Sequence, residues 1–127
     1  MSGVAAAIRA LTPEAEVVGV EPEGAPKMTR SLEAGHPITL DRVDTVADGL
    51  KPVRPGDLTF PIMYRLCGPG LIVTEDECLH AMALAFLRLK IVLEPGGAAA
   101  LAAALFHGDA LQDGPAICTA SGGNVDP

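Results

Sequence analysis

Four short apolar runs, Val17–Val20, Leu71–Val73, Ile91–Leu93 and Ala116–Ala120, each deliver the chain into a loop of glycine, proline, acidic or hydroxyl residues. Continuous runs of this length suit strands buried on both faces, and the segments between them carry helical spacing. The pattern predicts an α/β fold, a parallel sheet with helices on both faces, in which three βα units and a closing strand bring their ends to one edge. Parallel strands joined by helices cross over right-handedly, and ligands bind outside the carboxyl ends of such strands. The loops after these runs are therefore where function is to be sought.

The helical segments have readable limits. Ser2–Leu11 carries apolar residues at 4, 7, 8 and 11 and is stopped by Pro13, and Met28–Ala34 is stopped by Gly35 and Pro37. Leu58–Leu66 holds Pro61 in its first turn, where a missing N–H costs nothing. Thr74-Glu75-Asp76-Glu77 has the form of a capping box, in which the Thr74 hydroxyl and the Glu77 carboxylate satisfy each other's backbone N–H groups. The helix that it opens is expected to bury Leu79, Met82, Ala83, Phe86 and Leu89 and to set Arg88 and Lys90 near the negative end of its dipole. An alanine-rich helix follows Glu94-Pro95-Gly96-Gly97.

Composition narrows the class further. With 127 residues the chain is one domain at most, and 49% hydrophobic with 3% aromatic residues suits helices packed closely on a sheet. A net charge of −7 and a pI near 4.7 provide no basic field for a phosphate backbone, so no nucleic-acid partner is expected. The longest apolar stretch, Ala98–Phe106, is nine residues, about half of a membrane span, and the N-terminus has no basic leader, so no membrane partner and a cytoplasmic location are expected. Cys67, Cys78 and Cys118 are odd in number and lack C-x-x-C spacing, which reads as small buried hydrophobes in a reducing compartment.

Three short sequences at loop positions could carry chemistry. Ser121 ends the closing run, and Gly122 and Gly123 remove the side chains that would hold a flat ligand away from the backbone. Serine, glycine and Asn124 are equally the residues of an ordinary turn. Asp48-Gly49 reads as a turn with a positive-φ position, for which no ligand is needed. Glu94 stands where it can cap the helix that follows.

Val-Glu-Pro-Glu-Gly at 20–24, Ala-Asp-Gly at 47–49, Thr-Glu-Asp-Glu at 74–77, Val-Leu-Glu-Pro at 92–95 and Ser-Gly-Gly-Asn-Val-Asp at 121–126 occur together and in one order. In this the chain resembles the threonine/serine dehydratase (ammonia-lyase) and serine racemase group of fold type II pyridoxal-phosphate enzymes. The resemblance runs through nearly the whole sequence and corresponds to the C-terminal part of the large, tryptophan synthase beta-like cofactor domain. It implies a partial domain over residues 1–127, truncated at its N-terminus and at its C-terminus, with Met1 standing where the family's phosphate-binding tetraglycine loop ends.

The resemblance further implies pyridoxal 5'-phosphate as cofactor, with Ser121 hydrogen-bonding the pyridine nitrogen and Gly122, Gly123, Asn124, Asp48, Gly49 and Glu94 near the ring. Gly96 departs from the hydroxyl residue commoner at that position. The implied reaction is β-elimination of a small hydroxy amino acid to a 2-oxo acid and ammonia. No catalytic residue is assigned, because Lys27, Lys51 and Lys90 match nothing in the family's Schiff-base lysine motif. The chain alone is thus expected to be inactive, and the implied partners are a missing N-terminal half or complementing chain and, once complete, further copies in a homo-oligomer. In metal-binding relatives, positions corresponding to Glu21, Ala25 and Lys27 hold a divalent cation. An ammonium cannot ligate one, so the site reads as degenerate and metal-free, with Lys27 either supplying the charge or pointing into water. A non-catalytic ligand-binding or interaction module and a serine racemase-like fragment are the alternatives.

Since Lys27 replaces an oxygen ligand, titration calorimetry with Mg²⁺ or Ca²⁺ is expected to give no saturable heat; stoichiometric binding that Glu21→Gln abolishes would contradict the reading.

Overall fold

The computed structural model describes residues 1–125. Its elements are α1 (Ser2–Leu11), β1 (Val20–Pro22), α2 (Lys27–Ala34), α3 (Phe60–Leu66), β2 (Leu71–Val73), α4 (Glu75–Leu84) and α5 (Pro95–Phe106), with 3-10 turns at Asp48–Leu50 and Gly108–Ala110. β1 and β2 pair in parallel, with Val20 opposite Leu71, Glu21 opposite Ile72 and Pro22 opposite Val73. Strand side chains alternate between faces. Val20, Leu71 and Val73 accordingly pack on α4 and α5, while Glu21 turns the other way, towards the start of α2.

Expected strands at Ile91–Leu93 and Ala116–Ala120 are not strands among the described residues. A parallel strand needs a neighbour that accepts its bonds at every second residue. Here the 91–94 segment meets the C-terminal stretch at one backbone bond, Glu94 N–H to the Gly122 carbonyl at 2.9 Å. Ile117, in the middle of the expected closing strand, is 96% exposed.

The core is built from small side chains. Cys78, Ala81 and Ala85 of α4 and the turn after it lie against Ala98, Ala99, Ala102 and Ala103 of α5, with Val73 and Leu93 closing the cluster. This corrects most of the expected buried face of α4: Leu79 and Phe86 are 46% and 60% exposed, Ala83 and Leu89 are exposed too, and only Met82 packs, half-buried, against the cluster. Two helices can approach closely only where both present small residues, so positions 78, 81 and 85 win the interface over larger neighbours. In α1 the buried residue is Ala5, whereas Leu11 is 84% exposed. The helix begun by α4 continues through a wider π turn, Ala85–Leu89, and stops at Lys90, whose φ of 62° is left-handed.

Local signals set most boundaries. The capping box forms as read: the Thr74 hydroxyl accepts from Glu77 N–H at 3.1 Å and the Glu77 carboxylate accepts from Thr74 N–H at 2.7 Å. Gly35 ends α2 at φ 74°, the left-handed conformation that glycine adopts without strain. Pro61 sits in the first turn of α3. Among the described residues no helix is long and apolar enough to cross a membrane.

Glu77 has a second partner, His107 at the end of α5, with Nε2 3.0 Å from Oε1. The Thr74 N–H, and then His107, hold the Glu77 carboxyl below the usual carboxylate range. A carboxylate depressed in the folded state stabilises fully above its unfolded value and loses that contribution as pH falls through the folded one. Thermal unfolding followed by circular dichroism should show a loss of stability on acidification below pH 4.5 that Glu77→Gln reduces. Thr74→Ala should cost about 1 kcal/mol in urea unfolding at neutral pH.

Candidate cofactor site at the strand ends

The site is organised by one backbone segment, residues 46–50. Ala47 is buried, and the 3-10 turn Asp48–Leu50 follows it with Asp48 and Gly49 exposed. Each strand-end region sends a group to this segment. From the start of α2, just past the loop after β1, Lys27 Nζ donates to the Leu50 carbonyl at 3.0 Å. From the start of α4, Glu75 Oε2 accepts from Val46 N–H at 3.0 Å. From the start of α5, Gly96 faces Leu50 and Ala47, and the Glu94 carboxylate lies 3.9 Å from where a Cβ on Gly49 would stand.

Glu94 is the junction with the C-terminal stretch. Its backbone occupies the N-cap position of α5, but its side chain makes no capping bond. Glu94 Oε2 instead accepts from Asn124 N–H at 3.2 Å, and its own N–H reaches the Gly122 carbonyl. The glycines are used for approach within the chain. A Cβ on Gly122 would come within 2.6 Å of Glu94 Oε1, and one on Gly123 within 2.6 Å of the Val92 carbonyl oxygen. Ser121 is exposed beside them.

The structure therefore brings Gly49, Glu94, Gly122 and Asn124 together, with Asp48, Ser121 and Gly123 adjoining through the chain. The Asp48 carboxylate points to Lys51, with which it forms an exposed ion pair. One expectation about the turn is corrected: the positive-φ glycines among the described residues are Gly35 and Gly114, so Gly49 is not demanded by backbone conformation. A Cβ there would meet Glu94 Oε1 at 3.9 Å, an ordinary contact, so space does not demand glycine either.

The Glu21 loop is closed by its own residues. Glu21 is 6% exposed and accepts from Met28 N–H at 3.0 Å, Thr29 N–H at 2.8 Å and the Thr29 hydroxyl at 3.1 Å. Lys27 completes the set at 3.2 Å, with its side chain 13% exposed. The ammonium lies on the carboxylate, which rules out the alternative that it points into water. Ala25 is buried in the same loop. A cavity of about 250 Å³ borders Lys27, Glu21 and Leu50 from the side of α1 and α3, and it touches none of Asp48, Glu94 or Ser121.

Sequence reasoning missed Gly97. It lies inside α5, where glycine is unfavourable, and a Cβ there would collide with the Gly122 backbone. A glycine kept in a helix against its propensity is the signal that could have found it. Gly97→Ala is expected to lower stability by about 1–3 kcal/mol, because the obstacle is backbone. Gly96→Ala, whose Cβ would meet only Leu50 at 3.5 Å and Ala47 at 3.9 Å, should be neutral or slightly stabilising. Urea unfolding of the two variants checks the contrast.

Known proteins resemble this chain in sequence and in fold. The family described as "Pyridoxal-phosphate dependent enzyme" matches residues 1–122. A serine racemase of Oryza sativa subsp. indica is 38% identical over 131 residues, covering 99% of this chain and 38% of that protein. An L-threonine ammonia-lyase of Thermotoga maritima is 36% identical over 126 residues, covering 99% of this chain and 31% of that protein. Among solved structures, a T.th. threonine deaminase superimposes with a TM-score of 0.89 at 43% identity, covering 98% of this chain and 42% of that one. The serine racemase of Dictyostelium discoideum gives 0.84 at 38% identity, with 99% and 40% covered. The chain thus spans less than half the length of these relatives. With the family match running from the first residue to Gly122, the chain belongs to the pyridoxal-phosphate-dependent enzymes and has the α/β fold of their fold type II members.

Proposed function

We propose that the chain is part of a pyridoxal-phosphate-dependent ammonia-lyase that converts threonine or serine to a 2-oxo acid and ammonia. The observation that supports it is the gathering of Gly49, Glu94, Gly122 and Asn124 at one edge, in a chain similar to a threonine ammonia-lyase and a threonine deaminase. The residues fit the ring side of the cofactor: a hydroxyl at Ser121, glycine backbone beside it, and a carboxylate already held by the Asn124 N–H. When bound, pyridoxal phosphate supplies an electron sink for a carbanion at the substrate Cα. Ser121 would hydrogen-bond the pyridine nitrogen, and as a neutral residue it would leave that nitrogen unprotonated. Gly122 and Gly123, packed on Glu94 and the Val92 carbonyl, would set their backbone beside the ring, and Glu94 would fix the Gly122–Asn124 backbone.

None of the three lysines suits the nucleophile's role on this reading. Lys27 is engaged with Glu21, Lys51 with Asp48, and Lys90 with the Leu87 carbonyl at 2.8 Å. Catalysis then requires the portion of the relatives that this chain does not span, whether in a longer chain or a second one. The completed enzyme would be a cytoplasmic homo-oligomer with Glu21 and Lys27 in place of a divalent cation. A racemase acting on serine is the second reading, favoured by the 38% identity to the Oryza sativa serine racemase.

Residues 1–127 alone should release no 2-oxobutyrate from threonine. Joined to the N-terminal portion of the T.th. threonine deaminase, they should do so, and Ser121→Ala in that chimaera should slow turnover and weaken cofactor retention by about 2- to 12-fold, the loss of one hydrogen bond. Racemisation of serine without 2-oxo acid release would favour the second reading. Turnover by 1–127 alone, or indifference to Ser121→Ala, would refute the proposal.

A further inference from the structure

The Asp48–Leu50 turn holds two of the residues assigned to the cofactor, yet both are exposed and bury nothing. Its internal bonds are Leu50 N–H to the Ala47 carbonyl at 2.9 Å and Lys51 N–H to the Asp48 carbonyl at 3.2 Å. A single 3-10 turn has poor hydrogen-bond geometry and does not define its own location in a fold. Its distance from Glu94 is therefore set by the Leu50 side chain, half-buried against the core, together with polar groups outside the turn. Ala47 and Glu75 hold its N-terminal side. At its C-terminal side the polar anchor is Lys27, 23 residues away in sequence.

Lys27 is well placed for this task. The Glu21 carboxylate is immobilised by three donors from Met28 and Thr29 in the first turn of α2. The ammonium rests on that carboxylate at 3.2 Å and directs a second N–H to the Leu50 carbonyl at 3.0 Å. A charged donor makes a shorter, stronger bond than a neutral one, and a flexible stem lets a compact ammonium satisfy two acceptors of different kinds. The result is a rigid relay from the α2 backbone, through carboxylate and ammonium, to one carbonyl of the exposed turn.

We infer that Lys27 is a positioning residue: its ammonium, seated on Glu21, holds the Leu50 carbonyl and so fixes the Asp48–Gly49 turn opposite Glu94. The role in catalysis rests on the reading of that turn as part of the cofactor site, whereas the mechanical role does not.

Amide hydrogen exchange by NMR on the 127-residue chain tests it. In Lys27→Met, which keeps the stem and removes the donors, the Leu50 and Lys51 amides should exchange at least about tenfold faster. The Cys78 and Ala81 amides of α4 should be unchanged. Lys27→Arg should restore protection, since the cavity of about 250 Å³ beside Lys27 leaves room for a guanidinium. Unchanged exchange at Leu50 and Lys51, or a uniform rise throughout the chain, would overturn the inference. If Lys27→Met does not fold, trace acetylation of the wild type serves: Lys27 should react at least about tenfold more slowly than Lys51 and Lys90, as burial in a salt bridge requires, and equal rates would overturn the seat on Glu21. The cofactor reading fails separately, if 2-oxobutyrate release by the completed enzyme is absent while the turn still loosens in Lys27→Met.

Discussion

An exposed backbone turn has to be held in place by its surroundings, and residues 46–50 are held by polar groups from Lys27 and Glu75 and by the packing of Ala47 and Leu50. Lys27, Glu75 and the start of α5 each contribute one contact. This arrangement explains why acidic and basic residues occupy loop positions that a turn alone would leave to solvent. It also explains the convergence of site residues that lie about seventy positions apart, from Asp48 to Ser121. Strand ends in an open α/β sheet meet at one edge, so a short segment lying across that edge can be reached by all of them.

The packing beneath the site follows a different rule. α4 and α5 meet through Cys78, Ala81, Ala85 and the alanines of α5, and larger apolar residues are left outside. Volume decides here, since a close helix contact excludes leucine and phenylalanine however hydrophobic they are. The price is an interface with little apolar area per residue, which makes the glycine at 97 and the backbone of Gly122 part of the same tight layer.

Those two rules also separate what could be read in the sequence from what could not. The capping box at Thr74, the stop at Gly35, the proline in α3 and the strand Leu71–Val73 were legible because each depends on a few consecutive residues. The buried face of α4 was not, because hydrophobicity points to Leu79 and Phe86 while the neighbouring helix selects for size. The expected strands at 91–93 and 116–120 carried the right composition, but pairing depends on a partner that composition does not specify. In the candidate site, motif order singled out Glu94, Ser121 and Gly122, and the structure sets Glu94 against Gly122. The Glu94 side chain's choice of Asn124 over the helix end, and Lys27's choice of Leu50, are long-range contacts that no local pattern encodes.

The Glu77–His107 contact joins the first turn of α4 to the residue that closes α5. The partially positive end of one helix and the partially negative end of another are thereby brought side by side, with the anionic carboxylate on the first and the imidazole on the second. The Glu77 carboxylate offsets the positive pole of its own helix, and the His107 ring ties it to the end of the neighbouring one. That end of the helix pair is acidic, since Glu75, Asp76 and Glu77 fill the first turn of α4 and Asp109 follows α5. A pH change that protonates Glu77 therefore alters the field at the ends of both helices at once.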